Sequence, residues 1–210
     1  MKTPLEVIGL SKIYDERKAV KDVSFKVEKN EIIGILGPNG CGKTTTIGMI
    51  LGLLKPTNGK VLINGIDIEN NRVNLLDSLN FISPYIELPK KLTVKENLTV
   101  YGKLYDVKNL NEKIEYLSEK LRLDEIIKKI TGELSSGQKN RVSLAKSIIN
   151  DPVVLLLDEP TASLDPETGD FVRSFLEDYQ KEQGASILLA SHNMAEVERL
   201  CSSVLMMNNG

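Results

Sequence analysis

The 210-residue chain has no tryptophan, one histidine and only two cysteines. Cys41 and Cys201 lie far apart with no C-x-x-C pair, so the donors that a zinc site requires are missing. Long hydrophobic runs are missing as well. The longest unbroken apolar stretch is the five residues Val153 to Leu157, whereas a bilayer crossing takes about 20. No charged-then-apolar leader opens the chain, so secretion is not expected. Neither charge sign is in excess: 27 Lys and Arg face 29 Asp and Glu, a formal charge of −2. That balance argues against nucleic acid as a partner. With 41 % hydrophobic and 27 % charged residues, the chain fits neither a disordered nor a membrane-spanning class. Its length suits one globular domain with a substantial insertion. These exclusions leave a soluble, cytoplasmic α/β protein as the expectation.

Apolar runs at Leu5–Leu10, Val23–Val27 and Ile32–Leu36 predict strands, and the third has the nearly unbroken apolar character of a buried parallel strand. A Gly-rich turn follows, and then a helix from Lys43 toward Leu54, stopped by Lys55-Pro56-Thr57-Asn58-Gly59. Val61–Ile63 and Ile66–Ile68 flank Asn64-Gly65, the composition of a hairpin with a type I′ turn. Leu79–Ser83 reads as another short strand. From about Val94 to Asn150 helical patterns dominate, and Leu110, Ile114, Leu117 and Leu121 fall on one helical face. Strand–helix alternation then resumes: a strand at Val153–Leu157, a helix after Asp165-Pro166, a strand at Ile187–Ala190, a short helix near Met194–Leu200 and a strand at Val204–Met207. The simplest layout is a parallel-sheet core broken by a helical subdomain, with no internal repeat, low-complexity stretch or flexible linker.

Gly37-Pro38-Asn39-Gly40-Cys41-Gly42-Lys43-Thr44 fits the G-x-x-x-x-G-K-[ST] pattern between a buried strand and a helix. Glycines let backbone amides curl round phosphate oxygens without a Cβ in the way. The helix N-terminus adds partial positive charge and Lys43 a full one. The Thr44 hydroxyl suits Mg²⁺, and Thr45 follows it into the nucleotide-binding stretch. A plain Gly-rich turn capping a helix is the alternative, but two Gly, a Lys and a Thr seldom coincide in this context. A nucleoside triphosphate is therefore the expected ligand.

In open parallel sheets, ligands sit beyond the carboxyl ends of the strands. Asp158-Glu159 leaves one such end and Ser191-His192 another. An Asp closing an apolar strand can hold Mg²⁺, and the next carboxylate can orient or deprotonate a water. His192, the only histidine, can reach a phosphate oxygen from the same edge. Taken singly, the acids also read as a solvated strand end and the histidine as a surface residue. Cys41 sits near a helix N-terminus that can lower a thiol pKa, though a small filler residue is the simpler reading. Cys201 reads as core packing.

At Leu134-Ser135-Ser136-Gly137-Gln138, followed by Arg141 and a helix, the chain resembles the ATP-binding subunit of an ABC transporter, and the resemblance runs over its whole length. The pentapeptide looks like that family's signature, with Ser136 in place of the first Gly; by itself Ser135 also reads as a helix N-cap. The resemblance implies a P-loop NTPase parallel-sheet core with an N-terminal antiparallel β subdomain and an inserted helical subdomain. It divides the chain into a nucleotide-binding core (1–83 and 151–210) and a helical subdomain (84–150). It further implies that Tyr14 stacks on adenine, although a packing tyrosine is the local alternative. Ser163-Leu164-Asp165 matches the loop by which two sites of a dimer communicate, while Asp165 before Pro166 is also a strong helix cap. His192 matches the family's switch histidine.

By this resemblance two copies, identical or not, sandwich two ATP molecules, each between one copy's phosphate loop and the other's Ser135, Ser136, Gly137 and Gln138. Lys43 and the loop hold phosphates, Thr44 and Asp158 manage Mg²⁺, and Glu159 acts as base with His192. The partners are transmembrane permease subunits, contacted through Tyr85–Lys91, and the place is the cytoplasmic side of the membrane. The compact length and the Leu92–Leu98 stretch resemble exporters. One feature departs from the family: the glutamine usual before the helical subdomain falls near Pro84, and no glutamine precedes Gln138. The Ser83 or Tyr85 hydroxyl is the available substitute. Soluble ABC-type ATPases of translation or repair, and a weakly hydrolysing regulatory module, are the rival readings. The first of these usually carry two phosphate loops or long insertions, which this sequence lacks.

Overall fold

The computed structural model describes residues 2–15, 17–84 and 86–210. In chain order its strands are β1 (Leu5–Tyr14), β2 (Arg17–Val27), β3 (Ile32–Leu36), β4 (Asn58–Ile63), β5 (Ile66–Asp67), β6 (Leu79–Ile82), β7 (Val154–Asp158), β8 (Ser186–Ser191) and β9 (Ser203–Met206). The α-helices are α1 (Lys43–Ile50), α2 (Ile68–Leu75), α3 (Val94–Leu104), α4 (Leu110–Lys120), α5 (Ser136–Ser147), α6 (Pro166–Gln183) and α7 (Met194–Leu200).

Every residue of β3, β7 and β8 is buried, as strands covered on both faces must be. They form the centre of a parallel sheet in the order β6-β7-β8-β3-β9. Side chains alternate across it. Leu155, Leu157, Ile187 and Leu189 enter a core shared with α3, α4, α5 and α6, while Val154, Leu156, Leu188 and Ala190 enter a second core. That second core is closed by α1 and by an antiparallel sheet in the order β2-β1-β4-β5. The molecule is thus a P-loop NTPase α/β core with an antiparallel β-sheet on one side and helices inserted between β6 and β7 on the other.

The local signals explain most elements. Asn64 and Gly65 both take positive φ, 52° and 77°, and Ile63 pairs with Ile66 across the two-residue turn. Ile114, Leu117 and Leu121 are buried along the predicted face of α4, and Leu110 packs against the same core. Three expectations shift. β1 and β2 run on to Tyr14 and back to Arg17, past the apolar runs, because irregular pairing carries polar residues along their outer ends. The helix after the phosphate loop stops at Ile50 rather than near Leu54. Ile68 opens α2 instead of ending a strand, since Asp67 caps the helix by accepting from the Glu69 amide at 2.9 Å.

The register of the parallel sheet sets up the site. Leu36 pairs with Ser191, and Asp158 pairs with Ala190. The residues that leave β3, β7 and β8 therefore emerge side by side at one edge of the sheet.

Candidate active site

The loop from Gly37 to Gly42 leaves β3 and turns straight into α1, whose cap, Gly42, has φ 116°. A Cβ at Gly42 would lie 2.5 Å from the Ala19 carbonyl oxygen, so the close approach of β2 demands glycine there. The Lys43 amine is almost wholly buried and donates to the carbonyl oxygens of Gly37 (2.6 Å) and Pro38 (3.3 Å). Its side chain thus lies back along the loop. Cys41, by contrast, is 3 % exposed and packs in the core beneath the loop.

Asp158 and Glu159 meet this loop from β7. The Thr44 hydroxyl donates to Asp158 Oδ2 at 3.1 Å. Burial raises the Asp158 carboxyl above its ordinary pKa, an effect that the Thr44 hydrogen bond partly offsets. Glu159 has a left-handed backbone, φ 51°, with its amide donating to the Ala190 carbonyl at 2.8 Å. Its Oε2 lies 2.8 Å from His192 Nδ1 and its Oε1 lies 3.7 Å from Lys43 Nζ. That second oxygen is buried and accepts no hydrogen bond from the described residues. His192 itself is about half exposed, open to whatever enters from solvent.

A cleft of about 660 Å³ runs over these groups, lined by Asn39, Gly40, Gly42, Lys43, Thr44, Thr45, Asp158 and Glu159 and reaching Tyr14 at its outer end. The Tyr14 ring is 44 % exposed, with the Lys12 amine 5.0 Å from its centroid. Arg17 and Ala19 of β2 line the cleft too. No sequence motif marks them; they arrive through the pairing of β1 with β2.

Two hard oxygen donors, Thr44 and Asp158, face each other here, and the cost of burying the Asp158 charge is one that a divalent cation would relieve. Among the described residues no group of three or more His, Cys, Asp and Glu forms a metal cage. The donor set therefore fits Mg²⁺, which keeps most of its shell for water and phosphate oxygens.

Other motif residues lie apart from this cleft. Ser135 caps α5 in a capping box, accepting from the Gln138 amide (3.3 Å) while Gln138 Oε1 accepts from the Ser135 amide (3.1 Å). Gly137 packs against Thr168, near the first turn of α6. Asp165 caps α6, accepting from the Thr168 amide at 2.9 Å and the Thr168 hydroxyl at 2.7 Å, which holds its carboxyl below the usual range. Ser136 instead lines a second cavity of about 290 Å³, with Ser83, Pro84, Asn140, Ser163 and the far side of Glu159. Tyr85 lies outside the described residues. Asn140, unmarked by any local signal, donates from α5 to the Pro160 carbonyl at 2.7 Å.

A family model described as "ABC transporter" matches residues 20–162. The chain is 37 % identical over 196 residues to the ABC transporter ATP-binding protein NatA of Bacillus subtilis, covering 92 % of this chain and 79 % of that one. It is 37 % identical over 213 residues to the Nod factor export ATP-binding protein I of Rhizobium johnstonii, covering 98 % and 67 %. A solved ATP-binding subunit of an ABC transporter superposes with a TM-score of 0.91 at 30 % identity, covering 99 % of this chain and 87 % of that one.

Proposed function

The chain belongs to the ABC transporter family as an ATP-binding subunit and an ATPase, and from that premise we propose that it hydrolyses Mg-ATP between two copies to drive export through separate membrane subunits. The observation that carries this reading is the convergence of Lys43, Thr44, Asp158 and Glu159 on one cleft, with His192 from a third strand end against Glu159.

In this reading Tyr14 stacks on the adenine, and the loop amides with Lys43 cradle the β- and γ-phosphates. Thr44 and Asp158 would hold Mg²⁺, which when bound would neutralise charge on the phosphate oxygens. Glu159 takes a proton from a water whose oxygen attacks the γ-phosphorus. The bond to the bridging oxygen breaks, and ADP and phosphate leave. His192, already against Glu159 Oε2, holds the carboxylate in one orientation and presents its exposed ring edge to the γ-phosphate.

Ser135, Ser136, Gly137, Gln138 and Asp165 stand outside the cleft of their own chain. We assign them to the ATP held by a second copy, where the start of α5 offers amides, a hydroxyl and dipole charge to the γ-phosphate. No helix among the described residues is long and apolar enough to cross a membrane; the membrane path is assigned to permease subunits because the relatives are ATP-binding proteins of transporters. The segment from Tyr85 to Lys91 is the surface we assign to them, on the cytoplasmic side. The division into a core (1–83, 151–210) and a helical subdomain (84–150) then puts the phosphate loop in the first and the signature in the second. Export is favoured by the name of the Rhizobium relative.

Glu159→Gln is expected to bind ATP with wild-type affinity, lose about 100-fold or more in turnover, and elute as an ATP-dependent dimer in gel filtration. Wild-type turnover by this variant would remove Glu159 from the reaction.

A further inference from the structure

Glu196 has no place in the mechanism above, yet it is 1 % exposed inside α7. No Lys, Arg or His among the described residues pairs with it. A buried carboxylate without a cation is costly unless hydrogen bonds hold it, and two short ones do. Its Oε1 accepts from the Thr161 hydroxyl and its Oε2 from the Ser191 hydroxyl, each at 2.7 Å. Thr161 stands two residues after Glu159, and Ser191 immediately precedes His192. The two oxygens of one rigid, planar group thus grip the loop leaving β7 and the last residue of β8.

The grip is braced on both sides. The Ser191 hydroxyl oxygen also accepts from the Asn193 amide at 3.0 Å, and Asn193 in turn caps α7, accepting from the amides of Ala195 (3.1 Å) and Glu196 (3.4 Å). On the opposite flank Asn140 holds the Pro160 carbonyl. Between these anchors Glu159 keeps a left-handed backbone, a conformation that persists in a non-glycine residue only where its surroundings over-determine it.

We infer that Glu196 is a positioning residue for ATP hydrolysis: by tying Thr161 to Ser191 it fixes the separation of Glu159 and His192. The inference rests on the assignment of those two residues to the reaction. Misplacing a reacting group by about 1 Å can cost on the order of 100-fold in rate, so the bridge acts on turnover and not on ATP affinity.

The test compares Glu196→Leu, Glu196→Gln, His192→Ala and the Glu196→Leu/His192→Ala double variant, by steady-state ATPase kinetics and by binding of a fluorescent ATP analogue. Glu196→Leu fills the same space without the bridge and is expected to lose about tenfold or more in kcat with analogue affinity within about threefold of wild type. Glu196→Gln can bond both hydroxyls once one of them turns round, and is expected to restore kcat to within about threefold. In the His192→Ala background, Glu196→Leu should cost less than about threefold further, because the pair it aligns is already broken. If Glu196→Leu fails to fold, Thr161→Val cuts one of the two bonds from outside α7 and carries the same expectation. Wild-type kcat in Glu196→Leu, a parallel loss of affinity and kcat, or full additivity with His192→Ala would overturn the inference. Wild-type turnover by His192→Ala would instead overturn the reading of the site, and the inference with it.

Discussion

At the residue scale, the molecule uses buried and partly buried charges to fix geometry. Lys146 of α5 is a second case beside Glu196. Its amine lies 5.3 Å from the ring centroids of both Phe81 and Tyr101 and donates to Asn80 Oδ1 at 3.1 Å. It joins β6 to α3 and α5 across the boundary between sheet and inserted helices. Burial lowers its pKa from 10.5 to about 8. The unfolded chain therefore binds a proton that the folded chain releases between those values. The cost of charging Lys146 is complete below about pH 8 and fades as pH rises toward 10.5. Urea unfolding of wild type and Lys146→Met between pH 7 and 10 is expected to show the wild type gaining stability relative to the variant above about pH 8. A difference that stays flat with pH would contradict this.

At the element scale, local chemistry decides where helices begin. Thr93 caps α3 in a capping box, accepting from the Glu96 amide at 3.2 Å while Glu96 Oε2 accepts from the Thr93 amide at 2.8 Å. Thr93→Ala should lower unfolding free energy by about 1 kcal/mol, read as a lower urea midpoint with unchanged ATPase rate per folded chain. Elements with such signals were legible in the sequence: the phosphate loop and α1, the Asn64-Gly65 hairpin, α4 by its apolar spacing, and α6 by Asp165-Pro166. α2 was not, because Ile68–Leu75 is mostly polar and buries only its two end residues, so no stripe announces it. The outer ends of β1 and β2 were nearly as silent, since apart from the buried Val20 their residues are held by pairing and not by burial.

At the scale of the whole molecule, the sheet register brings the three strand ends together, and this too was foreseeable, because apolar strands ending in chemistry-bearing residues share one edge. Long-range contacts were not foreseeable. Nothing near Glu196 in the chain announces Thr161, 35 residues away, nor does α5 announce that Asn140 reaches Pro160. Such pairs depend on how α5 and α7 dock, which periodicity leaves open. The signature differs: its motif was plain, and its separation from its own chain's cleft already followed from the family resemblance, which assigns it to the other copy's ATP.

That separation is the basis of the central claim, that a chain holds two half-sites and completes neither alone. ATP turnover per chain, measured against chain concentration at saturating Mg-ATP, tests it directly. The account predicts a rate per chain that climbs with concentration and then levels off as dimers saturate. The same rate per chain at every concentration would contradict it.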